Sequence, residues 1–203
     1  MGLLFRTSDR TIRQCCRNCT KLVAGHSGAA KEAANEPYKV QRPLIAQHAS
    51  AALRLVQGMH DVDSDRVAAI GYCFGGKVVL DLARTGADIK AAVSFHGVLD
   101  RLGVPVFGPQ KSQSSGPVKP KIVVFHGYAD PFTPPEQLHK FMEELEALGA
   151  QYEVRVSGSA VLHGFTREEK SSEEDKRMGM QYNERVAKRA WASTLNLLQE
   201  TLG

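Results

Sequence analysis

From residue 44 onward the apolar positions follow two periods in alternation. Over 44–59, Ile45, His48, Ala49, Ala52, Leu53 and Val56 fall on one stripe, which predicts an amphipathic helix. Pro43 suits its start and Gly58 lies near its end. Val67 to Ile70 is a short apolar run of strand type, and Val78, Val79 and Leu82 then recur at helical spacing, with Gly86 as a C-cap. Ala91 to Phe95 and Ile122 to Phe125 read as further strands, each ending in His-Gly. Between them, residues 98–121 form a long irregular segment rich in Pro, Gly and Ser, of the kind that borders a site. Thr133-Pro134-Pro135-Glu136 reads as a capping box, opening a helix with its stripe at Leu138, Phe141, Met142, Leu145 and Leu148 and its end at Gly149. Tyr152, Val154 and Val156 alternate with Glu153 and Arg155, which predicts a strand with one more exposed face. An acidic helix start follows at 171–175, and Val186, Ala190, Trp191, Leu195 and Leu198 mark a long final helix.

Alternating helices and short apolar strands predict an α/β fold, a parallel sheet flanked by helices. In such sheets ligands bind at the carboxyl ends of the strands. Cys73, Asp130 and His163 each lie just past one of those ends.

Composition narrows the function classes. A chain of 203 residues with 42% apolar and 24% charged residues suits one soluble domain with a substantial core. No apolar run approaches the roughly 18 residues of a membrane helix. Residues 1–60 carry nine Lys/Arg against three Asp/Glu, and the remainder carries 17 against 19. The body is therefore not a nucleic-acid binder. The basic excess is concentrated at Arg6, Arg10, Arg13, Arg17 and Lys21, opposed only by Asp9. Residues 1–43 are expected to be a basic, poorly ordered segment ahead of a domain over 44–203. A cytoplasmic location follows if it is a plain tail, a mitochondrial or other organelle location if it is a transit peptide.

Cys15, Cys16 and Cys19 crowd into five residues, far from Cys73. That is not the spread of a secreted disulfide framework, and reduced thiols are expected. Cys16-x-x-Cys19 lacks a second pair, and the turn Asp61, Asp63, Asp65 lacks the glycine and closing glutamate of a calcium loop. No metal and no cofactor are expected.

The chemistry centres on Gly71-Tyr72-Cys73-Phe74-Gly75-Gly76. This is the thiol form of the Gly-x-Ser-x-Gly nucleophile elbow. Side chains two residues either side of the nucleophile would collide where strand meets helix, so glycines stand there. The start of the helix favours the thiolate. A buried structural cysteine after a core strand is the plain alternative. A nucleophilic cysteine needs a base, and the base an orienting group. In hydrolases of this class the order is nucleophile, acid, histidine. Only His139 and His163 follow Asp130, and His139 lies on the polar side of a helix. His96 and His126 read as strand-end structure lining the pocket. Asp81 falls within the elbow helix and Asp100 after the wrong strand.

From residue 44 to the C-terminus the chain resembles the dienelactone hydrolase family (carboxymethylenebutenolidases) of the α/β-hydrolase fold. Arg66-Val67-Ala68-Ala69-Ile70-Gly71-Tyr72-Cys73-Phe74-Gly75-Gly76, Phe125-His126-Gly127-Tyr128-Ala129-Asp130-Pro131 and His163-Gly164-Phe165 carry the resemblance. It implies a triad of Cys73, Asp130 and His163, and hydrolysis of a small lactone or ester through a thioester. It further implies Arg167 as the group that binds the substrate carboxylate; a solvated loop arginine beside Glu168 and Glu169 is the alternative. The family has about three or four more strands ahead of this region, for which residues 1–43 show no suitable runs. A truncated sheet of about four strands is therefore expected, with the Phe74 N–H as oxyanion donor. The alternative reading is a catalytically impaired homologue acting by binding or redox sensing.

Overall fold

Short apolar strands pair in parallel when helices bury both faces of the sheet, and this chain does so. The computed structural model describes residues 42–100, 120–158 and 160–203. The basic segment, Cys15, Cys16 and Cys19, and most of the 98–121 loop lie outside the described residues. In order, the elements are α1 (Arg42–Gln57), β1 (Ala68–Tyr72), α2 (Phe74–Arg84), β2 (Ala91–Phe95), β3 (Lys121–Gly127), α3 (Pro135–Ala147), β4 (Tyr152–Ser157), α4 (Glu173–Arg177) and α5 (Glu184–Leu202). The described sheet has four strands in the order β1-β2-β3-β4, every pair parallel. This is the α/β architecture that the alternation predicts.

The period-two pleat divides each strand between two cores. Ala69, Ala92, Ile122 and Val124 face Ala49 and Leu53 of α1, Val78, Val79 and Leu82 of α2, and Phe141 and Leu145 of α3. Ala68, Ile70, Ala91, Val93, Phe95, Val123 and Phe125 face Ala190, Leu197, Leu198 and Leu202 of α5. The register carries one cross-strand row from end to end: Tyr72, Phe95, Phe125, Arg155. Its ring centroids stand 4.6 and 5.0 Å apart, and the Arg155 guanidinium lies 5.7 Å from the Phe125 centroid. β1 and β2 end level on this row, so Cys73 and His96 emerge side by side, while β3 continues to Gly127 before its loop begins.

Gly86 and Gly149 take positive φ (69° and 60°) just past α2 and α3, the left-handed exits expected of them. Three expectations need correction. His48 is exposed; Ala49 and Leu53 are buried as expected, and Ala46 joins them because a small side chain suits the close α1–α2 contact better than an imidazole. Leu195 is 37% exposed, and Leu197 and Leu198 carry the burial on α5. Thr133 does not cap α3: its Oγ1 is buried without a hydrogen-bond partner, and the helix starts behind Pro134 with no side-chain cap. Among the described residues, Ser172 and Asp175 form a capping box at α4.

Arg84 at the end of α2 is buried with full ionic compensation. It donates to both carboxylate oxygens of Glu144 (2.8 and 3.0 Å), to Asp81 (2.8 Å) and to the Leu99 carbonyl (3.3 Å). This ties α2 to α3 across the strand-covering layer. Removing Arg84 takes away the cation that Asp81 and Glu144 share in this buried layer. Arg84→Ala is expected to lower unfolding free energy by about 3–5 kcal/mol in urea titrations, far more than Glu143→Ala at an exposed site.

Candidate active site

Cys73 follows β1 and precedes the first residue of α2, at φ 54° and ψ −120°. Its N–H donates to the Phe95 carbonyl (3.0 Å), extending the β1–β2 ladder by one bond before the chain turns. The turn is possible because a Cβ on Gly71 would stand 2.0 Å from the Gly75 carbonyl oxygen. A Cβ on Gly76 would meet Ser94 Oγ at 2.5 Å and Gly97 Cα at 2.8 Å. Glycines thus let the helix start press on the ends of both β1 and β2, and the thiol is left at the tip.

Asp130 and His163 arrive from the next loops along the sheet edge. The Asp130 turn closes with its own N–H on the Gly127 carbonyl (3.0 Å), and Oδ1 accepts from the Phe132 N–H (2.9 Å). That leaves Oδ2 for the Nδ1–H of His163 at 2.8 Å. His163 Nε2 lies 3.1 Å from Cys73 Sγ. The structure therefore brings the three sequence-predicted residues into one hydrogen-bonded line, with Asp130 and His163 buried and Cys73 partly open. The His163 ring is also held edge-on by Phe132 at 4.9 Å and His96 at 5.0 Å.

The electrostatics favour an ion pair. Burial pushes the Cys73 thiol up, but the hydrogen bond and charge of His163, the Phe74 N–H and the Arg167 charge outweigh it, so the thiol lies below its usual value. Burial works against protonated His163, yet the bonds to Asp130 and Cys73 raise it to about 9. The two shifts describe one thiolate–imidazolium pair, whose titrations belong to the pair.

The rival residues are placed elsewhere. His139 is exposed beside Glu143. Asp81 serves Arg84, and Asp100 lies 3.4 Å from Lys77. His96 and His126 are buried at strand ends. Asp63, within the acidic turn, accepts from Arg66 at 2.9 Å. Arg167 is partly exposed and donates to Glu169 through Nε at 2.8 Å, while its charge still reaches Cys73.

Sequence reading missed the residues that hold the His163 loop. The His163 N–H donates to Gly179 O (3.1 Å) and its carbonyl accepts from Gln181 (3.0 Å), a bridge with Met180 as partner. Gly179 is at φ 82°, and a Cβ there would stand 2.3 Å from Pro131 Cγ. Pro131 adjoins Asp130, so this contact joins the acid turn to the histidine loop. Nothing local in Met178-Gly179-Met180 announces this.

The family model of the dienelactone hydrolases matches residues 23–202. The chain belongs to the dienelactone hydrolase family. An uncharacterized protein of Caenorhabditis elegans is 32% identical over 152 residues, spanning 74% of this chain and 89% of that protein. A Bradyrhizobium sp. protein named as a probable 2-oxo-3-(5-oxofuran-2-ylidene)propanoate lactonase is 26% identical over 164 residues, 76% of this chain and 58% of the relative. The chain thus spans less than two thirds of the bacterial lactonase. A dienelactone hydrolase-like promiscuous phosphotriesterase from metagenomic libraries superposes with a TM-score of 0.75 at 27% identity, covering 99% of this chain and 84% of that one. The parallel sheet flanked by helices is accordingly the α/β-hydrolase-like fold. No helix among the described residues is long and apolar enough to cross a membrane.

In this dienelactone hydrolase-family chain, Gly179→Ala carries both a left-handed backbone cost of roughly 1–2 kcal/mol and the Pro131 clash. It is expected to lower the melting temperature and to slow alkylation of Cys73 by iodoacetamide, read by mass spectrometry.

Proposed function

We propose that this protein hydrolyses a lactone or carboxylic ester with Cys73 as nucleophile, through a thioester. The observation that carries the reading is the line from Cys73 Sγ through both His163 nitrogens to Asp130 Oδ2, at the carboxyl edge of the sheet. The family and the lactonase relative support the substrate class.

The thiolate of Cys73 attacks the acyl carbon, and the carbonyl oxygen takes the negative charge beside the Phe74 N–H at the start of α2. The C–O bond breaks, and the leaving alkoxide takes the Nε2 proton of His163, giving the thioester. Acylation removes the thiolate charge that helped to raise His163, so the imidazole becomes the base for the second half. Water attacks the thioester, Nε2 accepts its proton, the C–S bond breaks, and the carboxylic acid leaves Cys73 as thiolate. Asp130 keeps Nδ1 protonated and Nε2 aimed at sulfur throughout. Arg167 supplies positive potential at the mouth of the site and would bind a substrate carboxylate by exchanging Glu169 for it, since an exposed ion pair of this kind is worth only about 0–1 kcal/mol.

The same lowered thiol is open to oxidation, so a redox role is the second reading. Peroxide-sensitive Cys73 in a protein without ester turnover would favour it.

Hydrolysis of p-nitrophenyl acetate and of a dienelactone by the wild type, Cys73→Ala and His163→Ala tests the proposal. Cys73→Ala is expected to abolish turnover, and His163→Ala to cost about 10²–10⁴-fold. Wild-type rates retained by Cys73→Ala would overturn it. The pH profile has a defined sign. Acylation rises as Cys73 loses its proton, below the ordinary value of 9.0, and falls as His163 loses its proton at about 9. Stopped-flow acylation rates between pH 5 and 10.5 should trace that bell.

A further inference from the structure

Two non-glycine residues at adjacent strand ends share a positive φ: Cys73 at 54° and His96 at 39°. Tyr72 and Phe95 are register partners, so these two residues leave the sheet side by side. Strain of this kind persists where the surroundings over-determine it. For Cys73 the elbow explains it. For His96 the backbone N–H on the Phe125 carbonyl (2.8 Å) fixes only one side. The rest is fixed by the side chain, which is wholly buried.

That side chain reaches the loop of His163 at three points. Its Nε2 lies 2.8 Å from Thr166 Oγ1, three residues after His163. Its ring meets Phe165 edge-on at 5.0 Å and 86°, and His163 at 5.0 Å and 64°. The two in-plane hydrogen bonds of His163, to Asp130 and Cys73, fix where the nitrogens point. Phe132 on one side and His96 on the other pack against the ring and limit its rocking about the line through those nitrogens.

We infer that His96 is a positioning residue of the Cys73–His163 pair, gripping the histidine loop through Thr166 and setting the tilt of the His163 ring. The inference rests on the hydrolase reading only in giving His163 its proton-transfer role. His96 does this as a neutral ring. A second proton would leave an N–H on Nδ1, which is buried and has no hydrogen-bond partner. Burial and the His163 charge hold its pKa down to about 3. His163 therefore faces Cys73 from the elbow, Asp130 from the β3 turn and His126 from β3, with the Arg167 charge reaching Cys73 and His96, and has an uncharged ring at its side. Left-handed backbone also suits histidine better than most residues, so one side chain satisfies both the turn and the contact.

The test uses His96→Phe, which keeps a ring without the polar atom, His96→Gln, which keeps a hydrogen-bonding group for Thr166, and Thr166→Val. For each, iodoacetamide alkylation of Cys73 is followed against pH, together with kcat for p-nitrophenyl acetate and the melting temperature. A misaimed base costs up to about 100-fold. His96→Phe and Thr166→Val are expected to lower kcat by about 10- to 100-fold and to shift the alkylation profile to higher pH, with His96→Gln closer to wild type. The double variant His96→Phe/Thr166→Val should be no worse than the worse single one. A lowered melting temperature with an unchanged alkylation profile would leave His96 a packing residue and overturn the inference. So would a double variant whose loss is the product of the two singles. If His96→Phe does not fold, Thr166→Val decides by the same criteria. If the wild type turns over no ester, the alkylation profiles still decide the role of His96, so failure of the hydrolase reading is seen separately.

Discussion

The whole site depends on one close approach. At Gly71 the end of β1 comes so near the start of α2 that a Cβ would lie 2.0 Å from a carbonyl oxygen. Nothing but glycine fits, and with the chain bent this sharply Cys73 is driven into a left-handed backbone with its thiol outward. The same bend puts the backbone N–H of Phe74, the first residue of α2, against the sulfur. It also presses Gly76 against Ser94 and Gly97, so the end of β2 is packed by the elbow too. A helix that must start here cannot drift away from the sheet edge without opening its own core contacts.

Level register turns that local bend into a site. The row Tyr72, Phe95, Phe125, Arg155 keeps the strands in register: β1 and β2 end on it, while β3 and β4 stay paired as far as Gly127 and Ser157. Cys73 leaves β1, His96 leaves β2 and the Asp130 turn leaves β3. His163 comes from the loop after β4 and is clamped by the bridge to Met180. Gly179 against Pro131 then locks that clamp to the acid turn. Each member of the hydrogen-bonded line is thus anchored through its backbone before its side chain makes a contact. This is what holds Cys73 and His163 close enough in a partly buried place for each to shift the other's titration, the thiol down and the imidazole up.

Hydrophobic period and glycine placement made much of this legible in the chain itself. The elements after residue 42 lie close to the predicted spans, because strand and helix periods differ and because Gly86 and Gly149 mark where helices must end. Errors came where a neighbour competed for the same group. Thr133 fits a cap by pattern, but it belongs to the Asp130 turn and its Oγ1 meets no helix N–H. His48 and Leu195 lay on plausible stripes, but a helix in contact with another buries the side chains that fit the gap, and period alone does not report the gap. His139 and Asp81 could be set aside on helical phase; Arg84 and Glu144, joined across two helices, could not be paired that way.

The sequence by itself determined the strand–turn–helix at Gly71-Tyr72-Cys73-Phe74-Gly75 and the parallel α/β plan, since these depend on steric rules and periods acting over a few residues, and it set Cys73, Asp130 and His163 just past strand ends in that chain order. The tertiary structure alone decided that Cys73, Asp130 and His163 lie within hydrogen-bond reach, that Gly179 holds the Asp130 turn to the histidine loop, and that His96 lies against His163. Those depend on strand register and loop packing between residues up to 90 positions apart. Contacts at that range are set by how whole elements stack, and no local pattern of residues encodes them.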